Sequence, residues 1–297
     1  MEKRQFGSTE MVVSVLGFGG AEIGFEAAPQ TDVDKLLNAA LDSGLNVIDT
    51  GECYADSEQK IGAAVASRRG DFYLFTKCGH SSGFDLPDWD PKMLAMTVDR
   101  SLQRLQTDCV DLIQLHSCSE AILRQGDAIE VLQRAREAGK TRYIGYSGDT
   151  LDALYAVECG AFDSLQTSVN IADQECVTLT LPKAAERGMA VIAKRPVANV
   201  AWRSGSTPPI NGYYRTYWER LQKLRFQFLE GEDAVSTALR FTLSQPAISV
   251  AIVGTKNPSR WAVNSAYARL GALSDLDLQS IRDRWAQVAP SDWVGQQ

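Results

Sequence analysis

Histidine is scarce in this chain, with two residues among 297. Catalytic zinc sites commonly draw on two or three histidines, so we expect no metal site of that kind. Six cysteines are present, but no two of them are spaced as C-x-x-C. That scatter is typical of reduced thiols rather than of a disulfide framework or a structural zinc site. We expect Cys53 and Cys78 in particular to be buried, inert thiols.

Long apolar runs and clusters of basic charge are missing as well. No stretch approaches the roughly 18 consecutive apolar residues of a membrane-spanning helix, and no apolar leader follows the N-terminus. We therefore expect a cytoplasmic protein that inserts into no membrane. The chain has 30 Lys and Arg against 37 Asp and Glu, a formal net charge of −7. Without a basic patch, nucleic acid is not expected as a partner. The sequence leaves the oligomeric state open.

The sequence does contain a regular alternation of short apolar runs and longer amphipathic stretches. This alternation predicts βαβ units and a mainly parallel sheet. The runs that we interpret as strands cover 15–18, 45–49, 72–77, 110–116, 143–147, 164–169, 190–194 and 249–254. The clearest helical stretches cover 31–43, 93–105, 128–138, 179–187 and 234–243. Eight units of about 35 residues each match a (β/α)8 barrel, so we predict an α/β fold with a single TIM-barrel domain over residues 1–297.

Two segments fall outside this alternation. Residues 4–6 and 12–14 flank Gly7-Ser-Thr-Glu10, a pattern typical of a β-hairpin, which could plug one end of the barrel. Residues 198–231 form the longest interruption between strands. Connections of this length are usually functional or disordered, and the many aromatic residues here argue against disorder. The sequence leaves the role of this segment open.

A glycine-rich run follows the first predicted strand. Gly17, Gly19, Gly20 and Gly24 do not produce G-x-G-x-x-G in register, and no acidic partner is evident at the required distance. The sequence therefore does not predict a Rossmann dinucleotide-binding unit.

Ionisable residues stand at the ends of three consecutive predicted strands. Asp49, Lys77 and His116 close the second, third and fourth strands, and Tyr54 follows Asp49 on the outgoing loop. In a parallel barrel all strand carboxyl ends open on one face, which carries the chemistry of barrel enzymes. Each residue alone could be a helix cap, a solvated strand end or a satisfied polar group. Together they favour a functional site.

These motifs resemble the aldo-keto reductases. The resemblance rests on residues 46–58, N-V-I-D-T-G-E-C-Y-A-D-S-E, on Phe75-Thr-Lys77 and on Asp111-Leu-Ile-Gln-Leu-His116, and it extends to residues 253–264 near the C-terminus. It implies a (β/α)8 barrel that binds a nicotinamide cofactor without a Rossmann domain.

The resemblance also implies that Asp49, Tyr54, Lys77 and His116 are the catalytic residues. Reduction of a carbonyl needs a general acid for the developing alkoxide, and Tyr54 would be that acid. Lys77 would favour the phenolate and bring proton donation closer to neutral pH. Asp49 would hold Lys77 charged and in place, and His116 would orient the carbonyl oxygen as a hydrogen-bond donor.

Eight further positions match the cofactor-binding residues of the family: Ser147, Gln166, Lys194, Arg195, Thr255, Lys256, Arg260 and Asn264. By resemblance, Ser147 and Gln166 hold the nicotinamide carboxamide, and Lys194 or Arg195 could reach the pyrophosphate. The last four match the segment that grips the adenosine end. Charge-assisted hydrogen bonds to a 2′-phosphate favour NADPH as the cofactor, with NADH also possible.

We therefore predict NADPH-dependent reduction of small aldehydes or ketones, with a small-molecule carbonyl compound as the substrate. Two alternatives stay open. The first is an alcohol or aldose dehydrogenase of the same fold that uses NAD(P)⁺, because the same residues serve both directions. The second is a regulatory protein that binds a nicotinamide without turnover. An intact set of four catalytic residues favours turnover, since a pure binding protein needs no proton donor.

Overall fold

The computed structural model describes residues 1–210 and 212–296. Its strands are β1 (Lys3–Gln5), β2 (Val12–Ser14), β3 (Leu16–Gly19), β4 (Val47–Asp49), β5 (Tyr73–Cys78), β6 (Val110–His116), β7 (Thr141–Ser147), β8 (Ser164–Ser168), β9 (Ala190–Lys194) and β10 (Ile248–Gly254). Strands β3 to β10 are parallel neighbours in sequence order, and β10 pairs with β3 to close a barrel. The predicted (β/α)8 barrel is thus confirmed, whereas a single domain over 1–297 stays a prediction.

Helices surround this barrel. They are α1 (Ala21–Phe25), α2 (Gln30–Asp42), α3 (Ser57–Val65), α4 (Pro91–Leu105), α5 (Glu120–Leu123), α6 (Asp127–Glu137), α7 (Thr150–Glu158), α8 (Glu175–Leu179), α9 (Leu181–Glu186), α10 (Gly212–Leu224), α11 (Ala234–Leu243), α12 (Pro258–Arg269) and α13 (Asp275–Val288). Short 3₁₀ helices cover Ala66–Asp71, Ala198–Ser204 and Gln227–Glu230. Across the described residues, no helix is long and apolar enough to cross a bilayer.

Two helical segments differ from the sequence prediction. The stretch 179–187 is divided between α8 and α9, because Pro182 has no amide hydrogen with which to continue the helix of α8. The interruption at 198–231 contains α10, which the sequence pattern did not predict. Its buried side chains include Arg220 beside Tyr217 and Leu221, so a charged residue interrupts the apolar periodicity of the inward face.

The N-terminal hairpin closes the bottom of the barrel, as predicted. Strands β1 and β2 pair antiparallel, and Phe6, Met11 and Val13 pack in one buried cluster with inward side chains of the barrel strands. The Phe6 and Phe75 rings lie 5.2 Å apart. Gly7 makes the turn with φ +55°, and a Cβ there would lie 2.4 Å from the amide nitrogen of Ala190. Only glycine fits this approach.

Strand alternation decides which side chains enter the barrel. On β6, Ile113 and Leu115 belong to the outer core beneath the helices, whereas Leu112 joins the inner cluster above the hairpin. Because side chains alternate along a strand, Gln114 and His116 share the inward face with Leu112. The barrel interior therefore changes from apolar at the hairpin end to polar at the carboxyl end.

Candidate active site

A buried ion pair forms the floor of the site. Asp49 ends β4 and Lys77 lies near the end of the neighbouring β5, so the barrel places them side by side. Lys77 Nζ donates to Asp49 Oδ2 at 2.5 Å and to the Thr50 carbonyl oxygen at 2.7 Å. Burial lowers the pKa of Lys77, but the charges of Asp49 and Tyr54 outweigh burial and raise that pKa above its ordinary value. Lys77 is therefore a fixed cation.

Tyr54 and His116 complete the group at the mouth of the barrel. Lys77 Nζ lies 5.1 Å from the centroid of the Tyr54 ring. The His116 ring meets the Tyr54 ring edge-on, with centroids 5.7 Å apart. Both rings are partly exposed. The structure thus brings the four predicted catalytic residues together at one opening.

The pKa of Tyr54 at this opening differs from the expectation drawn from the sequence. Burial raises the pKa of Tyr54, and the opposing charge of Lys77 does not bring it below its ordinary value. Lys77 acts on the pKa of this phenol in the expected downward direction, but burial outweighs it, so the net shift is away from neutral pH. Burial, with the nearby Lys77 and Lys194 charges, holds the pKa of His116 well below its usual range. His116 is a neutral imidazole, which has one donor and one acceptor nitrogen.

A hydrogen-bond chain connects Asp49 to two predicted cofactor residues. Ser147 Oγ donates to Gln166 Oε1 at 2.9 Å, and Gln166 Nε2 donates to Asp49 Oδ1 at 3.1 Å. Gln114 Nε2 lies 3.4 Å from the same Asp49 oxygen. Gln114 was not among the residues predicted from the sequence, although its position two residues before His116 places it on the same inward face.

Lys194 and Arg195 are engaged within the protein. Lys194 Nζ pairs with Asp149 Oδ2 at 2.8 Å. Asp149, which was not among the residues predicted from the sequence, also accepts from the Ser168 amide at 2.7 Å. Arg195 Nη1 donates to Ser168 Oγ at 3.0 Å, and its guanidinium lies over the Tyr213 ring at 4.3 Å from the centroid. In the sequence, the one indication that Asp149 belongs to the site is its position two residues after Ser147, which ends a strand.

The C-terminal tail lies against this side of the barrel mouth. The Gln296 carbonyl oxygen accepts from Arg195, and the Gln296 amide donates to Asp173 Oδ2 at 3.2 Å. The Gly295 amide donates to Glu175 Oε2 at 2.7 Å, and Arg220 Nη2 donates to the Val294 carbonyl oxygen at 2.6 Å. No local pattern in the sequence indicates this docking, since its partners stand more than 70 residues away.

The predicted adenosine-binding residues stand where β10 passes into α12. Thr255 and Asn264 are buried, whereas Lys256 and Arg260 are exposed. Thr255 Oγ1 accepts from the Asn257 amide at 3.0 Å, which shapes the turn before α12. Lys256 Nζ pairs with Glu26 Oε2 at 2.5 Å. Thr255, Lys256 and Arg260 therefore lie around the first turn of α12, and Lys256 is already paired with the Glu26 carboxylate.

The two thiols beside the catalytic residues have different environments. Cys78 is buried, as expected. Cys53 is only partly buried, and its Sγ lies 3.5 Å from His116 Nδ1. The expectation of a buried Cys53 was wrong, because the turn after β4 directs it toward the opening. Burial still raises the pKa of the Cys53 thiol to about 11.

Comparison with known proteins agrees with this geometry. The Aldo/keto reductase family model matches residues 15–286. Aldo-keto reductase AKR11C1 from Bacillus halodurans, in its holo form, aligns with a TM-score of 0.82 and 27% identity over 96% of each chain. L-galactose dehydrogenase of Arabidopsis thaliana is 29% identical over 90% of this chain and 88% of that protein. YqkF of Bacillus subtilis, described as an uncharacterized oxidoreductase, is 26% identical over 97% of each.

The family match spans both the barrel strands and the residues at their carboxyl ends. The similar structure covers the barrel as a whole and is a member of the same family. The chain belongs to the aldo/keto reductase family and is an NAD(P)H-dependent oxidoreductase.

Proposed function

We propose that this chain reduces small aldehydes or ketones to alcohols with NADPH. One observation carries the proposal: a buried Lys77–Asp49 ion pair lies beneath the Tyr54 ring, beside a neutral His116. This is the combination that carbonyl reduction needs, namely a proton donor, a fixed cation near it and a neutral hydrogen-bond donor for the oxygen.

Each of the four residues has a distinct task. Tyr54 gives its phenolic proton to the developing alkoxide, and the fixed charge of Lys77 stabilises the phenolate that remains. Asp49 keeps Lys77 protonated and in position. His116 donates a hydrogen bond to the carbonyl oxygen, and its low pKa keeps it from competing with Tyr54 as the proton source.

The donor set at the mouth fits a nicotinamide dinucleotide. A bound reduced nicotinamide supplies the hydride for the carbonyl carbon. Ser147 and Gln166 offer a hydroxyl and an amide suited to its carboxamide. Lys194 and Arg195 add two basic side chains at the next strand end, where a pyrophosphate would compete with Asp149 for Lys194.

The preference for NADPH rests on the first turn of α12. Arg260 is exposed there, and a guanidinium binds a phosphate through paired, charge-assisted hydrogen bonds. Thr255 and Asn264 are adjacent polar groups. Glu26 opposes this preference, because it neutralises Lys256 and brings a negative charge toward the phosphate. We therefore propose Arg260 as the main contact and NADH as a weaker substitute.

A second candidate is oxidation of an alcohol or aldose with NAD(P)⁺. The similarity to L-galactose dehydrogenase along most of both chains favours a sugar substrate for this direction. The four residues serve this direction with Tyr54 as the base. A regulatory nicotinamide-binding protein is the remaining alternative and requires no proton donor.

Replacement of Tyr54 by Phe tests the proposal. We expect turnover to fall by about 10²–10⁴-fold, the usual contribution of a general acid, while NADPH binding is retained. The measurement is NADPH consumption with a panel of small aldehydes, ketones and sugars, together with NADP⁺ reduction by the matching alcohols. Tyr155→Phe on α7 is the matched control. Undiminished turnover of Tyr54→Phe would exclude the mechanism, and tight cofactor binding without any turnover by the unmodified protein would favour the regulatory function.

A further inference from the structure

Both histidines of the chain lie at the barrel mouth, next to a cysteine. Cys53 follows β4, His80 follows β5 and His116 ends β6, so three adjacent strands each bring one of these residues to the opening. One ligand atom from each residue lies within 4.8 Å of the others. The rings of His80 and His116 are 5.1 Å apart and meet edge-on. All three residues are partly exposed, so an ion can reach them from solvent.

We propose that Cys53, His80 and His116 form a binding site for Zn²⁺ across the entrance of the active site. One thiolate and two imidazoles are preferred ligands for this ion. The proposal replaces the sequence expectation of no metal site, which rested on the small number of histidines. That number matters less here because both histidines converge on one point.

The distance between the Cys53 and His116 ligand atoms fits tetrahedral coordination closely. With Zn–S near 2.3 Å and Zn–N near 2.0–2.1 Å, a tetrahedral angle separates the two ligand atoms by about 3.6 Å. Cys53 Sγ and His116 Nδ1 are already 3.5 Å apart. The remaining separations are at most 4.8 Å, so an inward shift of at most about 1.5 Å brings them to the tetrahedral values. Three protein ligands leave the fourth position open to water.

A second observation supports the site, because His80 has an orienting carboxylate. His80 Nδ1 lies 3.0 Å from Asp88 Oδ2, which leaves Nε2 as the free nitrogen. The other oxygen of Asp88 accepts from the Ser81 amide at 2.7 Å, so Asp88 is itself held by the loop. Carboxylate–histidine pairs of this kind fix the tautomer and orientation of a zinc-binding imidazole.

The loop that carries His80 is closed on itself. The Trp89 amide donates to the Gly79 carbonyl oxygen at 3.0 Å, and the Trp89 ring meets the His80 ring edge-on at 5.4 Å. Gly79 has φ +148°, and a Cβ there would lie 2.0 Å from the Trp89 ring. Glycine therefore allows Trp89 to pack against the loop beside His80.

Occupation of this site would block catalysis. When Zn²⁺ binds, the Cys53 S–H bond is replaced by an S–Zn bond and the proton leaves to solvent. The ion would hold His116 through Nδ1 and would stand beside Tyr54, in the opening through which the carbonyl substrate enters. This consequence, but not the binding itself, depends on the proposed function. Zinc would thus act as a reversible inhibitor that competes with the carbonyl substrate.

Titration of the full-length, reduced protein with Co²⁺ tests the site without reference to activity. We expect one Co²⁺ per chain, a thiolate-to-cobalt charge-transfer absorption and the intense visible bands of tetrahedral cobalt, all removed by added Zn²⁺. Cys53→Ser should abolish the charge-transfer band, whereas Cys159→Ser, a cysteine outside the site, should retain it. His80→Asn should remove most of the affinity, and Asp88→Asn should weaken binding about 10–100-fold. A missing band in the unmodified protein, or a band that persists in Cys53→Ser, would overturn the proposal.

Kinetics then test the consequence. Zn²⁺ should raise KM for the carbonyl substrate in the unmodified protein and in Cys159→Ser, and it should have a much smaller effect on Cys53→Ser and His80→Asn. Equal inhibition of all four proteins would refute the inhibitory site. If the protein shows no carbonyl reduction at all but retains the cobalt spectrum, the proposed function fails while the metal site stands.

Discussion

Two ion pairs of the same length lie at opposite ends of the proposed cofactor path. Lys77 Nζ and Asp49 Oδ2 are 2.5 Å apart at the floor of the active site, with side chains 1% and 2% exposed. Lys256 Nζ and Glu26 Oε2 are also 2.5 Å apart, at the start of α12, with side chains 53% and 46% exposed. Distance alone does not distinguish them, so any difference in their roles comes from their surroundings.

Burial makes the partners of the first pair dependent on each other. Both side chains are almost fully buried, so removal of one leaves the other as a buried charge without an opposite charge beside it. Around the second pair, water and salt solvate both partners and screen their attraction. The first pair is therefore a fixed part of the site, whereas the second can exchange Glu26 for another anion, which under our proposal is the 2′-phosphate of NADPH.

Replacement of Lys77 by Met should have the largest effect, a loss of stability that the same change in the exposed pair does not cause. We expect the free energy of unfolding at pH 8 to fall by about 3–5 kcal/mol, because Asp49 is left as an unpaired buried charge. The loss should be smaller at pH 5. Burial raises the pKa of Asp49, and the charge that opposes this rise is that of Lys77. In the variant, stability is then present at low pH and lost as the pH rises through the raised pKa.

Urea denaturation at pH 5 and pH 8 measures these effects. The double variant Asp49→Asn/Lys77→Met should recover most of the loss and show no added pH dependence from this site. Lys256→Met is the exposed control and should leave the denaturation midpoint unchanged. If Lys77→Met and Lys256→Met denature alike at pH 8, burial does not separate the two pairs.

The features of the fold and of the site that follow from local residue pattern could be predicted from the sequence. Strand β6 begins and ends at the predicted residues, Val110 and His116, and every residue before His116 is buried. The meeting of Asp49, Tyr54, Lys77 and His116 followed from the parallel barrel, which places all strand carboxyl ends on one face. Their roles remain proposals. Helix α10 escaped prediction because Arg220 occupies a buried position in its pattern.

Contacts between distant residues were outside the reach of the sequence. Glu26 and Lys256 are 230 positions apart and belong to different loops, so nothing local indicates their pairing. The convergence of Cys53 with both histidines depends on the path of the loop after β5, which Asp88 and Trp89 determine. The docking of the C-terminal tail on Arg195 likewise joins residues that are far apart in the sequence. Such contacts depend on the packed fold rather than on residue pattern.

Replacement of Arg260 by Ala should have an intermediate effect, limited to cofactor affinity at the exposed start of α12. We expect the Kd for NADPH to rise about ten- to a hundred-fold, since a hydrogen bond to a charged group contributes about 1.5–3 kcal/mol. The Kd for NADH should change little. Quenching of tryptophan fluorescence measures both constants. Arg269→Ala, at the other end of α12, is the matched control. Equal losses for the two nucleotides would refute the 2′-phosphate contact.

Replacement of Glu26 by Gln should produce the smallest effect and tests whether the exposed pair exchanges partners. Without the carboxylate, Lys256 is free to approach the 2′-phosphate, and NADPH should bind about two- to five-fold more tightly, as is usual for one exposed charge pair. NADH, which lacks this phosphate, should bind as before. The gain should shrink as salt rises from 0.05 to about 1 M, because the Debye length falls to roughly 3 Å. A gain shared by NADH, or one that persists unchanged at high salt, would mean that Glu26 acts by shaping the loop around α1 rather than by holding the charge of Lys256.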